Sequence, residues 1–179
     1  MSRVVAVHRS LERGLGKTPA KGIQLLAGLG VEGDIHQGAR VQHRSRVTAD
    51  PSQPNLRQVH LIPTELFNEL EGEGFAGLQP GSLGENLTTE GVDLLELPTG
   101  TVLKVGEALI ALTGLRNPCR QIDAFRPGLL KALTPRDSQG QIARRAGVMA
   151  VVLCGGAVSP GDPILVSLPP GAAVPLVKV

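Results

Sequence analysis

Glycine and proline recur so often along this chain that no regular element can run far without interruption. The sequence contains 23 glycines and 14 prolines among 179 residues, and both residue types end or bend helices and strands. The apolar runs between them are short. This pattern predicts a mainly β fold of many short strands with a few short helices.

Short apolar runs predict strands at several places, and a Gly-X pair between two of them predicts a type II′ hairpin at Gly106. The predicted strands are Arg3–Val7, Gln58–Ile62, a segment near Asn86–Thr88, Thr101–Val105, Ala108–Thr113, Gly147–Leu153 and Pro163–Leu168. Apolar residues on one face predict short helices at Pro63–Leu70 and Phe125–Leu133.

Two segments lie outside this pattern. The polar and basic stretch Arg40–Leu56 is predicted to be a mobile surface loop. The residues after Leu168 are predicted to be a loosely attached extension. The expected organisation is therefore one domain over residues 1–168 with a C-terminal tail over residues 169–179.

Composition excludes several classes of function. The chain has 18 Lys and Arg against 16 Asp and Glu, with three Phe, no Tyr and no Trp. A nearly balanced charge and scarce aromatic residues predict no nucleic-acid partner. The N-terminal apolar run is broken by His8 and Arg9, and the run Val148–Cys154 is too short to span a bilayer. We therefore expect a cytoplasmic protein with no membrane partner.

The two cysteines differ in their local sequence. They are too few for a disulfide framework, an iron–sulfur cluster or a four-cysteine zinc site. Cys119 lies in GLRNPCRQID between Arg116 and Arg120, and nearby cations favour the thiolate, which is a nucleophile and a soft metal ligand. The alternative is a small apolar residue under a turn. Cys154 ends the apolar run VMAVVLC and is predicted to be buried and unreactive.

Other polar residues between glycines could surround a ligand. Asp34 and His36 could transfer protons or bind a metal, although a glycine-driven turn with a solvated histidine is the simpler interpretation. His60 on its strand could be a structural histidine, or could join His36 as a metal ligand. Glu85 and Asn86 could cap a turn or form a polar wall.

Five arginines could form an anion-binding patch, or each could be a solvated surface charge. They are Arg57, Arg116, Arg120, Arg144 and Arg145. We expect the Gly33–His36 loop, the Glu85–Asn86 turn and Cys119 to share one pocket, faced by at least two of these arginines.

Five segments together resemble the MOSC domain, named after the C-terminal part of molybdenum-cofactor sulfurases. In order they are GLGVEGDIHQG at Gly28–Gly38, RQVHLI at Arg57–Ile62, PGSLGENLTTEGVDL at Pro80–Leu94, TVLKVGEALIALTGLRNPC at Thr101–Cys119 and RAGVMAVVLCGGAVSPGD at Arg145–Asp162. The glycine-framed GENLTTEG and the NPC turn are most similar to stand-alone bacterial members that act on N-hydroxylated compounds such as 6-hydroxylaminopurine. The segment Arg40–Leu56 and the tail match no motif of the family.

The resemblance implies a MOSC-type β-barrel in which Cys119 is the reactive cysteine. In one role Cys119 is a molybdenum ligand and catalytic residue of a molybdenum-dependent oxidoreductase that binds molybdopterin cofactor. In the other it carries persulfide sulfur received from a pyridoxal-phosphate-dependent cysteine desulfurase, and pyridoxal phosphate is then present only in that partner. The cofactor-binding candidates are Arg57, Arg116, Arg120, Arg144, Arg145, Asp34, His36, Glu85 and Asn86.

Three functions follow. The first is a component of a reductase for small N-hydroxylated substrates. Because the sequence has no Rossmann fingerprint and predicts no intrinsic flavin, haem or iron–sulfur cluster, the electrons would come from a separate reductase partner. The second is a sulfur carrier. The third is a non-catalytic domain that binds another anion in the same pocket.

Overall fold

The computed structural model describes residues 1–42 and 44–179. Strands dominate, and each is short. The strands are β1 Arg3–Arg9, β2 Thr18–Ala20, β3 Ile23–Leu26, β4 Gly30–Val31, β5 Val59–Pro63, β6 Leu87–Glu90, β7 Val102–Val105, β8 Ala108–Leu115, β9 Val148–Cys154, β10 Gly156–Val158 and β11 Ile164–Ser167. The helices are α1 Arg44–Ala49, α2 Thr64–Gly72, α3 Gln121–Phe125 and α4 Leu129–Leu133. The predicted mainly β class is confirmed.

Eight strands form one large mixed sheet in the order β11-β7-β8-β9-β5-β6-β1-β2. Its neighbouring strands are antiparallel except β5 and β6, which are parallel. A second sheet has the order β10-β3-β4. Four of these strands, β2, β3, β4 and β10, were not predicted. β2, β4 and β10 have only two or three residues each, too few to show periodicity, and β3 has four.

No continuous ladder closes the large sheet into a barrel within the described residues. An isolated bridge does join Arg3 to Pro163. Beside it, the Val4 amide donates to the Asp162 carbonyl at 2.9 Å and the Ile164 amide donates to the Ser2 carbonyl at 2.9 Å. The start of β1 therefore lies against the start of β11.

The apolar core has two parts. The larger lies on the sheets, where alternation along β8 buries Ala108, Ile110 and Leu112. The smaller lies beneath the helices and packs the buried face of α2 against Ile62 and Leu129. That face is the predicted one, Leu66, Phe67 and Leu70.

Local chemistry explains one confirmed turn and one wrong helix. Gly106, the first central residue of the turn, has a φ of 56°, whereas Glu107, the second, has no positive φ. These are the φ signs of a type II′ turn. The single helix predicted over Phe125–Leu133 is wrong. It is two helices, α3 and α4, because Pro127 and the left-handed Gly128 at φ 86° interrupt it.

The two segments without motifs are both held by backbone hydrogen bonds. In Arg40–Leu56, helix α1 occupies part of the predicted loop, and the Asn55 amide donates to the Ala39 carbonyl at 2.9 Å. In the tail, Leu176 is buried and the Val179 amide donates to the Leu115 carbonyl at 3.2 Å. The division of the chain at residue 168 stays a prediction.

No helix of the described residues is both long and apolar enough to cross a membrane.

Candidate functional site

A cavity of about 350 Å³ opens where several turns meet at one end of the large sheet. The β1–β2 loop, the turn around His36, the start of β5 and the turn after β8 all contribute to its walls. Its volume falls in the range of ligand-binding pockets. Gly84 lines it in a left-handed conformation at φ 83°, where a Cβ would clash with the Leu15 carbonyl oxygen.

Cys119 lies in this cavity on the turn between β8 and α3. The thiol is half-buried, and its Sγ lies 3.7 Å from Oε1 of Gln121. The turn is anchored on one side by the Arg116 amide, which donates to the Gly147 carbonyl at 3.0 Å, and on the other by the Ile122 amide, which donates to the Cys119 carbonyl at 3.1 Å. The sulfur is thus presented to the cavity by a fixed turn.

Two of the five arginines predicted from the sequence, Arg57 and Arg116, line the same cavity as Cys119. Arg116 is buried, and its Nη1 has no hydrogen-bond partner among the described residues. Burial lowers the pKa of Arg116, while the charges of Cys119 and Glu85 act in the opposite sense. Burial and then the charge of Arg116 lower the pKa of Arg57 to about 10. A buried guanidinium with an unpaired N–H group is suited to bind an anion.

The floor of the cavity is a layer of buried charged side chains, in which Lys17 lines the cavity and Asp34 and Glu85 lie behind it. Lys17 and Asp34 form an ion pair, and the sequence did not single out Lys17. Nζ of Lys17 lies 2.8 Å from Oδ2 of Asp34, and the two side chains are 5% and 2% exposed. Burial lowers the pKa of Lys17 despite the opposing effect of Asp34. Lys17 carries no motif, so only its position just before β2, opposite the glycine-rich turn, makes it part of the site.

Asp34 connects this pair to the wall of the cavity. Its Oδ2 accepts a hydrogen bond from Nδ2 of Asn86 at 3.2 Å, and its Oδ1 lies 3.3 Å from Nδ1 of His36. Burial works to raise the pKa of Asp34, but hydrogen bonds from His36 and Lys17 outweigh it and hold the pKa well below its usual range. His36 and Asn86 line the cavity, so the predicted convergence of the three loops is present.

His60 is a hydrogen-bonded histidine of the cavity wall. Its Nε2 lies 2.8 Å from the Ala146 carbonyl, and its amide donates to Oδ1 of Asn86 at 3.2 Å. Burial and the charge of Arg116 lower its pKa well below the usual value. In the described part of the chain, no group of three or more His, Cys, Asp and Glu side chains could hold a metal ion.

Comparison with known proteins identifies the family. The family model of the MOSC domain matches residues 32–165, which is more than half of the chain. This chain belongs to the MOSC domain family. A search of curated protein sequences finds no match.

Solved MOSC-like structures share the fold at low sequence identity. YiiM from Geobacillus stearothermophilus is 19% identical with a TM-score of 0.71, covering 98% of this chain and 80% of its own. The YUAD protein from Bacillus subtilis is 22% identical with a TM-score of 0.74, covering 93% and 96%. YiiM from Escherichia coli is 21% identical with a TM-score of 0.62, covering 96% and 73%.

The remaining candidate residues of the MOSC site lie at different depths. Glu85 is fully buried behind the cavity, where its Oε1 accepts hydrogen bonds from Thr88 at 3.0 Å and from the Gly81 amide, and burial raises its pKa. Arg144 does not line the cavity. Its Nε donates a hydrogen bond at 3.1 Å to Oδ1 of Asn117, which does line it. Arg120 is exposed beside Cys119 and does not line the cavity.

Arg145 faces away from the MOSC cavity. It pairs with two carboxylates of the α2 segment, Glu69 at 2.6 Å and Glu73 at 2.9 Å. These hydrogen bonds raise its pKa, although burial works to lower it. The residue connects the segment before β9 to the end of α2.

The prediction that Cys154 is buried is wrong, because it is exposed at the end of β9. The prediction rested on the apolar run VMAVVLC, and regular alternation along β9 would indeed put Cys154 on the same face as Val152, which is buried. A bulge intervenes, since Ile110 pairs with Val152 but Leu109 pairs with Cys154. The extra residue, Leu153, shifts the alternation by one, and Cys154 therefore points outward.

Proposed function

We propose that this MOSC protein binds the molybdenum cofactor in the cavity, with Cys119 as the protein ligand of molybdenum, as a component of a reductase for N-hydroxylated compounds. One observation carries the proposal. A half-buried thiol, the buried Arg116 and the half-buried Arg57 line one cavity, and Nη1 of Arg116 has no hydrogen-bond partner among the described residues.

The residues present fit this cofactor. Molybdenum prefers soft sulfur ligands, and Cys119 offers one, so the pterin dithiolate would bring the others. The cofactor's phosphate suits Arg57 and Arg116, whose guanidinium groups can donate parallel hydrogen bonds. His36 and Asn86 line the cavity and would supply polar groups for the pterin, while Asp34 lies behind them and holds both through hydrogen bonds. Glu85 orders the Gly81 turn behind them.

When bound, the cofactor would supply two-electron chemistry that cleaves an N–O bond, so that an N-hydroxylated base takes up two electrons and two protons and releases water. The chain's own residues would hold the cofactor, orient the substrate and restrict water. Electrons would come from a separate reductase, which we propose as a partner in the cytoplasm.

A sulfur-carrier role is the second candidate. The Sγ of Cys119 lies 3.7 Å from Oε1 of Gln121, on a turn at the wall of an open cavity. A cysteine desulfurase could therefore transfer sulfur to it as a persulfide, and the arginines would stabilise the anionic product.

Molybdenum content tests the two roles. The wild type, Cys119→Ser and Cys154→Ser would be expressed in cells that make the cofactor, purified by gel filtration, and analysed for molybdenum and for cyanide-releasable sulfur. We expect equal molybdenum in the wild type and Cys154→Ser and none in Cys119→Ser. Arg57→Gln should retain less cofactor, by roughly tenfold or more in affinity.

Two outcomes would contradict the primary role. Equal molybdenum in Cys119→Ser and the wild type would exclude Cys119 as the ligand. Cyanide-releasable sulfur in the wild type and Cys154→Ser, without molybdenum in any variant, would favour the sulfur carrier. Reduction of 6-hydroxylaminopurine by loaded protein with a supplied electron donor would then test the substrate class.

The barrel form of the fold is part of the same proposal. Closure between β1 and β11 is supported by the Arg3–Pro163 bridge and its two flanking hydrogen bonds. A barrel would remove the exposed edges of short strands and hold the turns of the site at one end.

A further inference from the structure

Arg46 is a cation of the cavity wall that no sequence motif predicts. It lies in the last turn of α1, is half-buried, and lines the same cavity as Cys119, Arg57 and Arg116. It forms no salt bridge with any acidic side chain of the described residues. Its charge is close enough to act on Arg57, lowering the pKa of that residue after burial and Arg116.

Three hydrogen bonds hold the segment that carries α1 beside the cavity. The Val41 amide donates to the Gln53 carbonyl at 3.0 Å, and Nδ2 of Asn55 donates to the carbonyls of His36 and Gly38, each at 3.0 Å. The base of the segment is thus attached to the turn that carries His36. Arg46 lines the cavity from helix α1, whereas Arg116 lines it from the turn after β8.

The charges on this wall do not balance without a ligand. Arg46, Arg57 and Arg116 contribute three cations to the cavity, and among the described residues its lining holds one carboxylate against them, that of the exposed Glu12. The buried carboxylate of Asp34 already pairs with Lys17, and burial favours the neutral form of Glu85. Like charges in a partly desolvated site repel one another, and an anion among them would relieve that repulsion.

We propose that Arg46 is the third arm of an oxyanion site with Arg57 and Arg116, and that three arms make the site prefer a doubly charged tetrahedral oxyanion. Under the proposed function, the native occupant would be the cofactor's phosphate. The preference itself belongs to the three arginines, so inorganic sulfate should bind there without any cofactor.

The test uses cofactor-free protein of the full chain and isothermal titration with sulfate and with nitrate, a singly charged planar oxyanion, at low ionic strength. We expect wild type to bind sulfate more tightly than nitrate. Arg46→Gln should weaken sulfate binding roughly ten- to a hundredfold, the loss of one charge-assisted hydrogen bond, and bring the two affinities closer. Arg46→Lys should retain most of the affinity, because the charge remains.

Arg40→Gln is the matched control, because Arg40 is exposed on the same segment and does not line the cavity. It should bind sulfate within twofold of the wild type. An Arg46→Gln affinity within twofold of the wild type, or no preference of the wild type for sulfate, would overturn the proposal. Cys119→Ser should still bind sulfate, so a failure of the molybdenum experiment leaves this result standing.

Discussion

The floor of the cavity and the outer face of the large sheet depart from the usual burial rule in opposite directions. The floor buries charged and polar groups, among them Lys17, Asp34 and Glu85. On the outer face, cross-strand pairs form a row over β11, β7, β8 and β9 made of Leu165, Lys104, Leu109 and Cys154. In this row Leu165 is 58% exposed and Leu109 is 36% exposed.

Of these two departures, only the burial of charged groups points to a function. Exposed leucines are common on protein surfaces and imply little by themselves. Buried charges cost free energy unless they are paired, and a chain that keeps them concentrates them where they bind or react. One thiol, Cys119, lies on the wall of the cavity, and the other, Cys154, lies on the outer face. The charged surroundings of Cys119, more than its accessibility, distinguish it from Cys154.

The largest expected effect comes from breaking the ion pair of the floor. Lys17→Met leaves the buried Asp34 carboxylate without its cation and should lower the free energy of unfolding by about 3–5 kcal/mol. Lys104→Met on the outer face is the matched control and should change it by less than about 0.5 kcal/mol. Urea denaturation measures both. Equal effects would show that the floor and the outer face do not differ energetically.

A smaller effect is expected from acid. Burial and then the charge of Lys17 lower the pKa of His8 from 6.5 to about 4. The unfolded chain therefore binds more protons than the folded one between these values, and stability should fall as the pH falls through this window. Between pH 7 and pH 5 the loss attributable to His8 should be at most about 2 kcal/mol.

His8→Gln should reduce this pH dependence. It should not abolish it, because burial also lowers the pKa of His60. Lys104→Met should keep the wild-type slope. Denaturation curves at several pH values make the comparison, and a slope unchanged in His8→Gln would contradict the assignment.

The smallest effect concerns the two thiols. Both should react with the neutral reagent iodoacetamide, since Cys154 is exposed and Cys119 is half-buried. With an anionic disulfide reagent the reaction of Cys119 should gain several-fold relative to Cys154, because Arg57 and Arg116 attract the reagent. Salt should reduce this gain. Mass spectrometry of the modified peptides measures the ratio of Cys119 to Cys154 modification for each reagent. If that ratio were the same for the neutral and the anionic reagent, the surroundings of the two thiols would not differ in charge.

Much of the fold and part of the site follow from the sequence alone. Glycine and proline spacing predicts the short strands and the Gly106 hairpin, and the spacing of apolar residues predicts the buried face of α2. These features depend only on neighbouring residues. The order of five motifs identifies the MOSC family, and Cys119 is conspicuous between Arg116 and Arg120. Local chemistry is sufficient in these cases, since each feature is complete within a few residues.

Tertiary structure decides the rest. Lys17, just before β2, meets Asp34, just after β4, only because the chain folds back through β2, β3 and β4. Arg46 lines the same cavity as Arg57 only because the α1 segment lies beside it. Cys154 faces outward because a bulge opposite Leu109 shifts the alternation of β9. Pairing across strands and burial of charge depend on residues far apart in the chain, so no local pattern contains them.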